Sequence, residues 1–112
     1  MHEKITIPGT SELHRFRSEL GTIGTNQYSR VVGAAEKLIN EYSFEKDPQH
    51  VDVQKAAEEL RANYADLVAK LDRFKAESAE FPVLGEGAED FQKDALEMVR
   101  KAEAATGLSI AA

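Results

Sequence analysis

The chain has no cysteine, no tryptophan and only three prolines in 112 residues. Without thiols, disulfides, thiolate zinc sites and cysteine nucleophiles are excluded. No apolar run approaches the roughly 18 residues of a membrane-spanning helix, so no membrane role is expected. The opening MHEKITIPGT lacks the apolar core of a secretory signal, which makes the cytoplasm the expected location. A basic excess is missing as well. The net charge is −6, whereas nucleic-acid binders need a cationic face to neutralise phosphates. The imbalance is local: between residues 77 and 97, Glu77, Glu80, Glu86, Glu89, Asp90, Asp94 and Glu97 stand against Lys93 alone. Such a window offers an acidic face to a basic partner. It also suits the start of a helix, whose dipole favours carboxylates.

Signatures of chemistry are absent too. LGTIGTN, residues 20–26, has two glycines but no following lysine and no strand before it. It therefore fits neither a phosphate loop nor a dinucleotide fingerprint, both of which place glycines between a strand and a helix. No nucleotide is expected. His2, His14 and His50 have no partner at helical metal spacing, and the Glu-x-x-His pair of di-iron bundles does not occur. Asp47 and His50 read as surface polarity. No nucleophile, base and orienting group can be assembled, so the expectation is a non-enzyme without metal or cofactor.

What is present is helical periodicity. From about 48 to 80, Val53, Ala57, Leu60, Tyr64, Leu67, Leu71 and Phe74 step alternately by four and three, the seam of a helix packed lengthwise on another. Asp47 and Pro48 suit its N-cap and first helical position. FPVLGEG, 81–87, reads as an apolar loop capping the bundle end. A shorter helix follows over about 87–106, with Ala88, Phe91, Ala95, Met98, Ala102 and Ala105 on one face. Upstream, Tyr28, Val31, Val32, Ala35, Leu38, Ile39 and Tyr42 share a face. At about 100° per residue that face lies about 80° from the one set by Leu13, Phe16, Leu20 and Ile23. The fold expected is all-α: an antiparallel hairpin of long helices plus a shorter C-terminal helix, a three- to four-helix bundle. Its first long segment is broken or kinked near Gly21–Gly24, with Thr25 or Asn26 capping a new helix at Gln27. The domain plan is an extended N-terminal arm over 1–10, a bundle over 11–106 and a short, frayed tail over 107–112. Gly107 takes the left-handed position after the last helix, with Leu108 as its apolar contact.

Two long helices and one short one leave a seam uncovered. That mismatch points to a protein partner or a homo-oligomer, with Leu60, Tyr64, Leu67 and Leu71, or the acidic Glu86, Glu89 and Asp90, as the contact surface. The function expected is a protein–protein interaction module: an adaptor, an assembly component of a phage or bacterial complex, or an inhibitor or immunity-type regulator. Size, acidity, absence of cysteine and the helical hairpin also resemble the small Trp-x-Gly proteins exported by type VII secretion, which implies a secreted hairpin protein as the alternative. The chain departs from that family at its central turn, which reads FEKDPQH, and no tyrosine has an acid four residues on. The ending GLSIAA is similar to the Ala-Ala tails recognised by ClpX-type unfoldases, which implies a degradation signal at Ala111–Ala112.

Overall fold

The computed structural model describes residues 10–111. The extended arm expected over 1–10 lies outside them, apart from Thr10, which begins the first helix. The order is α1 (Thr10–Ile23), a π-helical turn (Gly24–Tyr28), α2 (Ser29–Glu45), α3 (Val51–Glu77) and α4 (Pro82–Thr106), with no strand among the described residues. The all-α bundle is as expected. α3 returns antiparallel to α2 and reaches α1, and α4 packs against all of these. The molecule is elongated, 64 × 29 × 15 Å.

The disturbance near Gly21–Gly24 is a π turn rather than a break. Ile23, Tyr28 and Ser29 keep helical angles, with φ of −60, −61 and −62°, and no side chain caps a new helix. The cause is countable. Along the first long helix one row of core residues runs through Leu13, Phe16, Leu20, Ile23, Tyr28, Val31, Ala35, Leu38 and Tyr42, with Ala34 and Ile39 beside it. The spacing along the row alternates three and four except for one step of five, from Ile23 to Tyr28. That step holds one residue too many for a regular helix, and a turn with i→i+5 hydrogen bonds absorbs it. Both halves then keep one face on α3 and α4. The apparent displacement of the stripe is this extra residue counted at about 100°.

Gly24 is required by a close approach. A Cβ there would stand 2.6 Å from Cζ of Phe91, whose ring lies on the bare backbone of the π turn. Tyr28 packs on the same ring, with centroids 5.4 Å apart. The contact is reciprocated one turn earlier on α4, where a Cβ at Gly87 would meet Cδ2 of Leu20 at 3.0 Å. Each helix thus supplies a glycine that admits the other's apolar side chain. Gly21, by contrast, faces open space.

The core beneath these contacts joins Val31 and Leu38 of α2, Val53, Leu60, Leu67 and Leu71 of α3, and Ala88, Ala95, Val99 and Ala102 of α4, all fully buried. Ala88, Ala95 and Ala102 are seven apart, so α4 presents a narrow alanine ridge to its neighbours. Phe16 closes the far end edge-on to Phe74, at 5.9 Å, and beside Phe81 at 6.0 Å.

Three boundaries differ from the sequence reading. α4 starts at Pro82, so FPVLGEG is mostly helix. Pro82 stands at the first helical position, where a missing amide costs nothing. α3 is capped by His50, not Asp47: Nδ1 of His50 accepts from the amide of Asp52 at 3.1 Å. Asp47 instead accepts from the amide of Gln49 at 2.9 Å and, with Pro48, forms the turn before the helix. On α4 the stripe passes through Val99 and Thr106, and Ala105 is exposed. The hydroxyl of Thr106, buried there, donates to the carbonyl of Ala102 at 2.7 Å.

Gly24→Ala is expected to destabilise the bundle by about 1–3 kcal/mol, because the Phe91 ring must shift off a packed surface. Gly21→Ala, helical and unobstructed, should stabilise by about 0.5–1 kcal/mol. Urea unfolding of the two variants checks both signs.

Candidate functional site

The seam proposed as a contact surface is not available. Leu60, Leu67 and Leu71 are completely buried within the chain, and only Tyr64 is half-exposed. α4 begins a turn earlier than expected and runs for 25 residues against 27 in α3, so the length mismatch behind that surface is absent. Partial burial raises the pKa of the Tyr64 hydroxyl, with Arg100 acting in the opposite sense. Glu86, Glu89 and Asp90 are exposed on α4, as the acidic reading requires.

Residues 107–111 are not frayed. Gly107 takes a left-handed φ of 77° and turns the chain off α4, as expected of it, and Leu108 packs against the core. The chain then lies across α3 and α4. Nε and Nη2 of Arg61 donate to the carbonyl of Ser109 at 3.0 and 2.8 Å. Oε2 of Glu103 accepts from the amides of Ile110 and Ala111 at 2.8 and 3.1 Å. Nη1 of Arg100 holds the other Glu103 oxygen at 2.7 Å and donates to the carbonyl of Ala111 at 2.8 Å. Ile110 is buried against the core at 9% exposure. Three charged side chains thus grip main-chain groups of consecutive residues, while one aliphatic side chain is inserted. The carboxylate is the pivot. Burial pushes the Glu103 carboxyl up, but the hydrogen bond from Arg100 and the amides of Ile110 and Ala111 together bring it below its ordinary value. Ala112, the other half of the Ala-Ala ending, lies outside the described residues.

At the hairpin tip, atoms of Glu45, His50 and Asp52 lie within 4.8 Å of one another, a grouping of metal-ligand types. The hydrogen bonds give it another task. With Nδ1 of His50 accepting from a backbone amide, the ring proton sits on Nε2, which faces Oε2 of Glu45 at 3.2 Å. A metal at Nε2 would need the opposite tautomer, with the proton on Nδ1, and so would remove the cap of α3. The set is a helix cap with a carboxylate fixing the ring. Beside it, Phe44 is 87% exposed and Val51 60%.

An open groove of about 540 Å³ follows the π turn between α1 and the end of α3, with Ile23 and Phe74 among its walls and Arg15, Lys70, Arg73 and Glu77 along it. Its charges are of both signs, and Arg73 stands 3.9 Å from Glu77. Nothing in this arrangement selects one ligand class.

Comparison with protein-family models, curated proteins and solved structures gives no match. What the fold defines is a class by architecture, an all-α three-helix bundle with a kinked first helix. No helix among the described residues is long and apolar enough to cross a membrane.

Because the pKa of Glu103 is lower when the segment is docked, docking is favoured above the ordinary carboxylate range. It is lost as pH falls through the lowered value. Protection factors of the Ile110 and Ala111 amides should fall on acidification before those of the helices do, and Glu103→Gln should lower them already at neutral pH.

Proposed function

We propose that the chain is a non-enzymatic helical protein-binding module. The observation that supports this reading is the hairpin tip. Among the described residues every buried side-chain polar atom has a partner, while three large apolar residues stand in solvent: Val83 singly on α4, and Phe44 and Val51 at either side of the hairpin turn. They flank a turn held rigid by the His50 cap. A lone exposed apolar residue needs no explanation, but an aromatic and a branched aliphatic side chain on a rigid end form a small anchor of the kind that interfaces use. The acidic residues Glu86, Glu89 and Asp90 supply a second, electrostatic surface on α4. It would speed encounter with a basic partner more than it would hold one.

A photo-crosslinking residue at position 44, placed in the producing cell, should give a discrete protein adduct. The same residue at the exposed Glu36 should not. Phe44→Ser should leave the melting temperature within a few degrees, since it removes no buried contact, and should abolish any oligomer seen by multi-angle light scattering. No adduct at position 44, with a monomeric chain before and after the substitution, would contradict the assignment of the tip.

A further inference from the structure

The contacts that hold residues 107–111 have the character of ligand recognition. Helix ends are ordinarily finished by the first one or two residues past the cap. Here the left-handed Gly107 has already done that, its amide meeting the carbonyl of Glu103 at 2.7 Å, and the gripping begins two residues later. Four of the five main-chain groups from the carbonyl of Ser109 to that of Ala111 are then bound: the carbonyl of Ser109, the amides of Ile110 and Ala111, and the carbonyl of Ala111. The groups that bind them come from two helices and lie far apart in sequence, Arg61 on α3 and Arg100 and Glu103 on α4. None of these polar contacts depends on the identity of the bound side chains. Selectivity enters only at Ile110, whose side chain is taken into the core surface. Peptides with free main-chain groups are recognised in this way: main-chain hydrogen bonds give affinity, and a pocket for one side chain gives specificity.

We infer that the Arg61–Arg100–Glu103 clamp is a peptide-docking site that the chain fills with its own residues 107–111. The partner it fits is a non-helical segment that turns two successive amides to one side and carries one branched aliphatic residue. The inference rests on the reading of the chain as a protein-binding module and identifies a second surface and the chemistry of its occupant. Charge complementarity argues for that occupant. The paired carboxylate and guanidinium of Glu103 and Arg100 present an acceptor and a donor side by side, matched to the amide and carbonyl of one residue, and Arg61 presents a two-pronged donor to the carbonyl before it. A helical partner would have those groups already bonded internally. The self-occupied state makes the site conditional. A segment tethered by so short a link competes at an effective concentration on the order of millimolar, so an outside peptide sees the clamp only in the fraction of molecules whose own segment is released.

The test uses the full chain and a synthetic peptide, acetyl-Gly-Leu-Ser-Ile-Ala-amide, followed by NMR titration of the amides around Arg61 and Glu103. I110D removes the aliphatic anchor in the tethered segment while leaving the clamp on α3 and α4 untouched. The exchange rate of the Ala111 amide reports release, and far-UV circular dichroism reports that the bundle is intact. The peptide should bind I110D at least tenfold more tightly than it binds the unaltered chain. Adding E103Q to I110D, or replacing isoleucine by aspartate in the peptide, should abolish binding. Equal binding to I110D and I110D/E103Q would overturn the proposal. So would no binding to a folded I110D chain whose Ala111 amide is released, or an Ala111 amide still protected in I110D. A crosslink from position 44 tests the hairpin tip separately, so either assignment can fail without the other.

Discussion

The contact between the Phe91 ring and the bare backbone at Gly24 organises the bundle. It brings α4 against the first long helix where that helix carries one residue too many. At that place an α-helix would otherwise carry its apolar face away from its neighbours. The π turn absorbs the extra residue, Gly24 removes the side chain that would hold α4 off, and Phe91 and Tyr28 cover the opening. On α4 the glycine at 87 does the same for Leu20. With α1 held in this way, Phe16 can reach Phe74 and Phe81, and the end of α3 is sealed.

The third helix is not the short one its sequence suggested, at 25 residues against 27 in α3. α4 gains length by starting at Pro82. After Gly107 the chain doubles back, bonded to Arg61 of α3 and to Arg100 and Glu103 of α4. Its cost in ordered backbone, about 1–2 kcal/mol per residue, is offset by main-chain hydrogen bonds to charged side chains, which are stronger than neutral ones. The described chain therefore buries its own seam leucines, Leu60, Leu67 and Leu71.

Much of the helical plan was legible in sequence. The stripe from Val53 to Phe74 lies on the core as the four-three spacing requires, and Gly107 ends α4 in the left-handed state that only glycine adopts freely. The errors have physical causes. Glycines at 85 and 87 suggested a loop because helix propensity disfavours them, yet Gly87 is helical and admits Leu20. The kink expected near Gly24 is present, as a π turn rather than a capped new helix. The single step of five from Ile23 to Tyr28 carried the π turn and was there to be counted. Leu60, Leu67 and Leu71 suggested an exposed seam because α4 read as a short helix, whereas it spans 25 residues and packs with α2 on α3. Arg61, Arg100 and Glu103 look like ordinary helix-surface charges, and a pairing between Arg61 and Ser109, 48 residues apart, leaves no periodic trace. Ile110, an aliphatic residue standing beyond a helix-ending glycine, was the one available signal.

The central claim is that the π turn is a single-residue insertion kept in register by its packing. Deleting Thr25, which is exposed, tests it most directly. The step from Ile23 to Tyr28 becomes four, so the first long helix can run as a regular α-helix with both stripes still on α3 and α4. The account predicts a folded chain of equal or greater stability in urea, with Phe16 still packed on Phe74 in the structure of the variant. A loss of more than about 2 kcal/mol, on the scale of a disrupted core contact, or a detached α1, would contradict it.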